Sequence, residues 1–426
     1  MIKTISLIFI ISLTASSVIY GQVPAPAEGL SSVDLTRRAL ASNGRMAAAR
    51  LEIDRARARL RQAGLRPNPS MEFLQENGAF NSPGERGTTI GFSLPLELAG
   101  QRGRRIDLAR AELEASEAEV ADRERRLASE VRMAYAEALA ALRELEVTQN
   151  LNSLDVETAR IVGARVEEGD AAPLELNLLR TEIDRLWARR VLIEGRLQAA
   201  LLRLKQLAGI PPEETLRLRE ELTAPMLPDP PTSLEAAVEI ALRSRPDLLF
   251  ARLSEEVARA GYRLAKAQAA PQVTASVQYS DVLGTFEDTP AGLISGRDKV
   301  LGFGVSITLP IFNRNQGAKA EARASITQAQ KQREFLESTV RAEVASAYYR
   351  YEVARAALQT YERGVIERST QNVRTVRAAY ETGAFRVTEL LAEQRRLIEM
   401  QREMTEAMVE RYRALSDLQA AIGGSK

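Results

Sequence analysis

Apolar positions along this chain follow two periods, a helical one over long stretches and a strict alternation over short ones. From Ser32 to about Ala63, Leu35, Ala39, Leu51 and Leu60 recur on shared faces among many Arg and Glu residues, which predicts a helix stopped by Pro67 and Pro69. Two short segments, 70–75 and 88–96, flank a run of Asn, Gly, Pro and Ser and read as strands joined by a turn. A helix is then predicted over 101–168, with no proline in it, giving a rod about 100 Å long at 1.5 Å per residue. Within it Leu113, Val120 and Leu127 lie seven apart, and Val131, Tyr135, Ala138, Leu142 and Leu145 continue at alternating steps of four and three. That spacing is the seam of a coiled coil. The chain reverses at Gly169, and helix resumes over 174–207.

The same order then recurs: helix 233–269, strands near 272–280 and 300–312, helix 315–381, a turn at Gly383 and helix 387–422. Ala39-Leu40 returns as Ala241-Leu242 and Pro69 as Pro271, each 202 residues on. Leu94-Pro95 returns as Leu309-Pro310 at a spacing of 215, and Gly169 and Gly209 return as Gly383 and Gly423 at 214. A tandem duplication with an insertion in the second strand hairpin accounts for these matches. The copies span 22–210 and 232–426, joined by a proline-rich linker at 211–231.

The strands carry the strongest physical signal. Val273, Ala275, Val277 and Tyr279 alternate with Thr274, Ser276 and Gln278, and Leu301, Phe303, Val305 and Ile307 alternate with Gly302, Gly304 and Ser306. Ile90, Phe92 and Leu94 alternate with Thr89, Gly91 and Ser93 in the first copy. Segments of about 9–11 residues are what a tilted strand needs to cross a bilayer, with the apolar face on lipid and the small polar face on water. The competing reading is a half-buried sheet of a soluble domain, but the chain offers no evident layer to cover it. Four strands cannot close on themselves, and open edges are not tolerated in lipid. Three chains supply 12 strands, so a shared barrel in a homotrimer is the simplest closure. The expected fold is thus mainly α with a small β part: duplicated long-helix coiled-coil hairpins forming an α-barrel, plus four transmembrane β-strands per chain.

Composition narrows the function. Lys and Arg number 58 and Asp and Glu 57, a net charge of +1, which argues against a nucleic-acid partner. There is neither Cys nor His, so disulfides, thiolate chemistry, haem and most zinc sites are out of reach and the usual general base is missing. No enzyme, no cofactor and no resident metal site are expected. Residues 1–21 read as a secretory signal peptide: Lys3 precedes the apolar run Ile5–Leu13, too short to span a bilayer, with cleavage near Gly21. The lack of Cys leaves nothing to carry an N-terminal lipid anchor.

Taken together, these features resemble the TolC-like outer membrane efflux proteins. The likeness covers about residues 30–424 and rests on the duplicated order of elements, on Leu94-Pro95 and Leu309-Pro310 closing the second strands, on Tyr380-Glu-Thr-Gly383 and on Ala421-Ile-Gly-Gly424. The stretch Ser93-Leu-Pro-Leu-Glu-Leu-Ala-Gly-Gln-Arg-Gly-Arg-Arg-Ile is similar to the heavy-metal, CzcC-like branch. The resemblance implies a trimeric exit duct in the outer membrane of a Gram-negative bacterium. It also implies a periplasmic helical tunnel and two partners, a periplasmic adaptor and an inner-membrane transporter of the RND type.

It further implies roles at the hairpin tips. Glu389 and Glu175, each six residues after its turn glycine, and Asp170 beside Gly169 fall where acidic residues of the family line the periplasmic entrance, a cation-attracting ring in a trimer. Pairing with Arg180, Arg395 or Arg396 along the helix is the alternative for the two glutamates. Val166, Gly169, Leu174, Tyr380, Gly383, Val387 and Leu390 fall where adaptors grip, although packing explains the apolar ones equally well. Arg102, Arg104 and Arg105 follow the barrel, where interfacial anchoring and simple solvation are both open. Ile90, Phe92, Leu94, Val273, Val277, Tyr279, Leu301, Phe303, Val305 and Ile307 are expected against lipid. Multidrug efflux, type I protein secretion and, more remotely, a periplasmic coiled-coil adaptor are the alternatives to metal efflux.

Overall fold

The computed structural model describes residues 29–77, 86–219, 222, 227–289 and 292–424, so the expected signal peptide lies outside the described residues. Where one helix was expected over 32–63, there are two, α1 (Ser32–Ser42) and α2 (Gly44–Ala63). Asn43 makes the break: its side chain accepts from the amides of Arg45 and Met46, capping α2, and its Nδ2 donates to the Leu207 carbonyl at 2.9 Å. At the matching point of the second copy, α5 (Leu234–Ser244) gives way to α6 (Pro246–Ala267). There Pro246 takes the first helical position, and Arg245 before it is held extended.

The long helices are α3 (Gln101–Glu167), α4 (Pro173–Ala208), α7 (Gln316–Glu362), α8 (Val365–Glu381) and α9 (Val387–Ala421). α3 runs unbroken over 67 residues. Its counterpart does not: the helix expected over 315–381 stops at Glu362 and restarts after Gly364, whose φ of 94° closes the preceding turn. On α3, Val120, Leu127, Val131, Tyr135 and Ala138 are buried as the seam predicts, but the next buried position is Leu139 and Leu142 is exposed. A straight helix drifts relative to a strict seven-residue repeat, and over this length the drift moves the buried stripe by a position.

Apolar clusters fill the bundle, a small one around Ala136, Leu227 and Tyr412 and three larger ones. One joins α1–α4 with Leu216 and Leu222 of the linker and with Leu358, Met408 and Val409 of the second copy. Another joins α5, α6, α7 and α9, and a third closes the end farthest from the sheet, around Val162, Leu179, Tyr380, Val387, Leu390 and Leu391. The linker is tied down too: Leu30 forms an isolated parallel bridge with Leu218.

The sheet is a four-stranded antiparallel meander in the order β1 (Ser70–Asn77), β2 (Arg86–Leu96), β3 (Gln272–Thr289), β4 (Gly292–Thr308). β3 runs nine residues beyond its expected end at 280, and β4 begins eight residues before the expected start at 300 and ends at Thr308 rather than 312. Among the described residues no helix is long and apolar enough to cross a membrane.

Candidate functional site: a two-faced sheet and a tied hairpin tip

Register fixes what each face of the sheet carries, because directly paired residues share a face. One face has the rows Phe73-Ile90-Tyr279-Leu301, Met71-Phe92-Val277-Phe303, Leu94-Ala275-Val305 and Leu96-Val273-Ile307. All ten residues expected against lipid fall on it, joined by Met71 and Phe73 from β1. Among the described residues nothing covers this face, and Phe303 is 80% exposed.

The opposite face is small and polar: Ser70-Ser93-Ser276-Gly304, Glu72-Gly91-Gln278-Gly302, Leu74-Thr89-Ser280-Val300 and Glu76-Gly87-Val282-Asp298. Its glycines make room for neighbouring side chains. A Cβ at Gly304 would sit 2.6 Å from Ser276 Oγ, one at Gly302 3.2 Å from Gln278 Cγ, and one at Gly87 3.3 Å from Glu76 Oε2. Glu72, Glu76 and Asp298 are the charged groups of these four rows, and no Lys or Arg stands in them. None of the three was visible beforehand, because the expected strands stopped at 75 and started at 300 or lacked a legible alternation.

Below the sheet, the cluster Arg102, Arg104 and Arg105 has a defined task. Arg102 Nε donates to the Gly64 carbonyl at 2.7 Å and Arg105 Nη2 to the Leu65 carbonyl at 3.2 Å, while Arg105 also pairs with Glu97. Two of the three arginines therefore fasten the start of α3 to the free carbonyls that end α2. Arg104 only pairs with Asp107, 3.2 Å away.

At the far end, Gly169 (φ 85°) and Gly383 (φ 80°) reverse the two hairpins in the left-handed region. The two turns match bond for bond: the Asp170 amide donates to the Arg165 carbonyl at 2.8 Å, and the Ala384 amide to the Ala379 carbonyl at 2.8 Å. Tyr380 ties the hairpins together. Its hydroxyl donates to Glu175 Oε2 at 3.0 Å, its carbonyl accepts from Arg165 Nη1 at 3.3 Å, and the Arg165 guanidinium lies 5.4 Å from its ring centroid. Burial, then the bond to the Glu175 carboxylate, push the phenol up to about 12, so it stays a donor throughout the physiological range.

Glu175 is thus engaged by a tyrosine, not by Arg180. Glu389 pairs with neither Arg395 nor Arg396; its Oε2 accepts from the Arg386 amide at 2.7 Å and caps its own helix. Asp170 is exposed. Of the residues expected at an adaptor surface, Tyr380, Val387 and Leu390 are buried and Val166 is partly buried against them, because four helix ends converge here and bury their inward positions. Leu174 stands out at 66% exposure, with the turn glycines also at the surface.

A third group went unseen in the sequence. Asp155 of α3, 3% exposed, and Glu182 of α4 are buried beside Gln394 of α9. Glu182 receives Arg185 at 2.6 Å and Arg395 at 2.9 Å, whereas Asp155 Oδ1, Asn152 Oδ1 and both amide atoms of Gln394 find no hydrogen-bond partner. These residues lie on three helices far apart in the chain, and no local pattern marks them.

The outer membrane efflux protein family matches residues 35–210 and 237–424, the two copies in turn. The chain belongs to that family. The cobalt-zinc-cadmium resistance protein CzcC of Cupriavidus metallidurans is 26% identical over 393 residues, covering 90% of this chain and 88% of that protein. The outer membrane protein TolC of Vibrio cholerae is 24% identical over 322 residues, 75% of this chain and 72% of that one. Among solved structures, that of CusC superposes with a TM-score of 0.77 at 21% identity, over 92% of each chain. The chain is therefore an outer membrane efflux channel, and its relatives are channels rather than enzymes. Efflux channels of this family work with adaptors and inner-membrane transporters in tripartite pumps.

Proposed function

We propose that this channel passes metal cations, as a homotrimer whose twelve strands close a barrel in the outer membrane and whose helices form a periplasmic tunnel. The observation that carries the reading is the water-facing side of the sheet, where Glu72, Glu76 and Asp298 stand without a basic neighbour in its four rows. Carboxylates along a pore wall favour cations and repel anions, while the lack of a closed ligand set keeps transit fast. The name of CzcC, a cobalt-zinc-cadmium resistance protein, supports the same class of cargo. A strain lacking the gene is expected to lose tolerance to zinc, cobalt or cadmium while keeping its tolerance to dyes, detergents and antibiotics, with the intact gene restoring growth. The opposite pattern of sensitivities would reassign the channel to organic compounds.

The hairpin tips form the periplasmic entrance in this reading, with Glu175, Glu389 and Asp170 as its carboxylates. An adaptor of an RND-type pump grips the exposed rim at Gly169, Leu174 and Gly383, while Val166, Tyr380, Val387 and Leu390 hold that rim in shape from inside. The Tyr380–Glu175 bond keeps the two hairpins of one chain together. Tyr380→Phe removes it and leaves Glu175 free, so the channel reconstituted in a planar bilayer is expected to show a severalfold higher conductance. A conductance equal to that of the unaltered protein would remove Tyr380 from the gate.

A further inference from the structure

Charge is sorted by face at the upper end of the sheet. Above the last apolar row the outward face continues with Gln75-Thr88-Asp281-Lys299 and Asn77-Arg86-Leu283-Arg297, so its basic groups Arg86, Arg297 and Lys299 occupy two successive rows about 7 Å apart. The carboxylates Glu72, Glu76 and Asp298 all stand on the other face. Within these two rows the one acid, Asp281, is neutralised by Arg297 through two bonds of 2.7 Å. Arg86 and Lys299 are exposed and have no ion pair among the described residues.

These groups sit at the end of the sheet away from the helices, immediately past the apolar belt. With the belt in hydrocarbon, they reach the headgroup layer of the outer leaflet. β2 and β4 lie two strand spacings apart, about 10 Å, so Arg86 on one side and Arg297 and Lys299 on the other flank a strip as wide as a lipid headgroup. Simple snorkelling would be served by scattered cations of either face. A net positive outward collar over an acidic inner wall is complementary to one thing at that depth, phosphate-bearing lipid.

We propose that Arg86, Arg297 and Lys299 form a binding site for the phosphate groups of outer-leaflet lipid. β4 is an edge strand of the sheet, so the site flanks the seam where a neighbouring protomer's β1 joins in the closed barrel, and bound lipid braces that seam. The inference rests on the barrel reading above.

The test uses the full-length channel purified in detergent and titrated with diphosphoryl lipid A, with the same lipid stripped of its phosphates, and with inorganic phosphate. The diphosphoryl lipid is expected to bind about tenfold or more tightly than the dephosphorylated one. Arg86→Gln/Arg297→Gln/Lys299→Gln should lose that preference, and Arg86→Lys/Arg297→Lys should keep it. Equal binding of the two lipids overturns the proposal, as does a neutralised variant that still discriminates. Competition by inorganic phosphate at equal concentration overturns the assignment to lipid. Fractionation of the neutralised variant separates the two readings. If the unaltered chain is found in the outer membrane and shows no phosphate preference, only this inference fails; if neither protein is found there, the barrel reading fails with it.

Discussion

Asp155→Asn is expected to stabilise the periplasmic half of the helical bundle at neutral pH by about 3 kcal/mol, an unusual gain for a buried substitution. Burial first, and then the charge of Glu182, push the Asp155 carboxyl from its ordinary 3.8 up to about 6; the nearby Gln394 amide and the guanidinium groups of Arg395 and Arg185 offset only part of this. The folded state therefore holds this proton more tightly than the unfolded chain does. Stability is gained as pH falls through about 6 toward 4 and is forfeited at neutral pH, where the ionised group stays buried with Oδ1 unpaired. An asparagine carries no charge and brings an N–H donor to the orphaned oxygens of Asn152 and Gln394. Hydrogen exchange of α3, α4 and α9 amides at pH 7 and pH 5 reads the effect locally. The original protein should protect these amides better at pH 5 and the variant equally at both. Protection that rises with acid in both proteins would show that Asp155 is not the responsible group.

The Asp155 cluster also marks the limit of what the sequence discloses. The duplication was readable from a few paired residues, and with it the order of the elements, because turn glycines and strand-closing Leu-Pro pairs must recur wherever the backbone recurs. One helix was expected over 233–269, yet Pro246 breaks it into α5 and α6, and Asn43 breaks α1 from α2 at the same point of the first copy through its side-chain cap, which a helical period does not reveal. The strands were recognised by their apolar face and lost where that face ends. Asp281, Arg297, Asp298 and Lys299 interrupt the alternation, so the upper ends of β3 and β4, 281–289 and 292–299, were not read as strand, and the acidic inner wall and basic outer collar went unseen. At the tips, Glu175 and Glu389 were singled out by spacing from the turn glycine, yet their partners, the Tyr380 hydroxyl and the Arg386 amide, depend on how four helix ends converge. Asp155 and Glu182, 27 positions apart on opposite arms of a hairpin, meet only because the hairpin closes.

Where the two copies meet, a second buried charge cluster behaves in the opposite sense. Arg245, its side chain 4% exposed, grips Asp247 through bonds of 2.5 and 3.0 Å, reaches Glu343 at 2.7 Å and donates to the Ala421 carbonyl at 3.2 Å. Arg125 of α3 pairs with Asp122 at 2.7 Å and donates to the Ala420 carbonyl at 2.7 Å. One arginine from each copy thus caps the last carbonyls of α9, where the helix leaves acceptors unsatisfied and its dipole favours a cation. Burial alone would raise the Asp247 carboxyl, but the Arg245 hydrogen bonds and charge outweigh it and hold it below the usual carboxylate range. Its contribution is accordingly full at neutral pH and lost only as the pH falls below that range, past the window in which Asp155 gains. Arg245→Met removes one of the two caps of α9 and leaves Asp247 in the interior with only the Leu248 amide and the Arg125 guanidinium 3.9 Å away, so a loss of about 3 kcal/mol is expected, seen as a lowered thermal midpoint of the purified channel. Arg245→Met/Asp247→Leu removes the stranded charge as well and should recover most of that loss, since a buried pair replaced by apolar groups of similar volume is often neutral. A double variant as unstable as the single one would show that capping the end of α9, rather than balancing Asp247, is what Arg245 contributes.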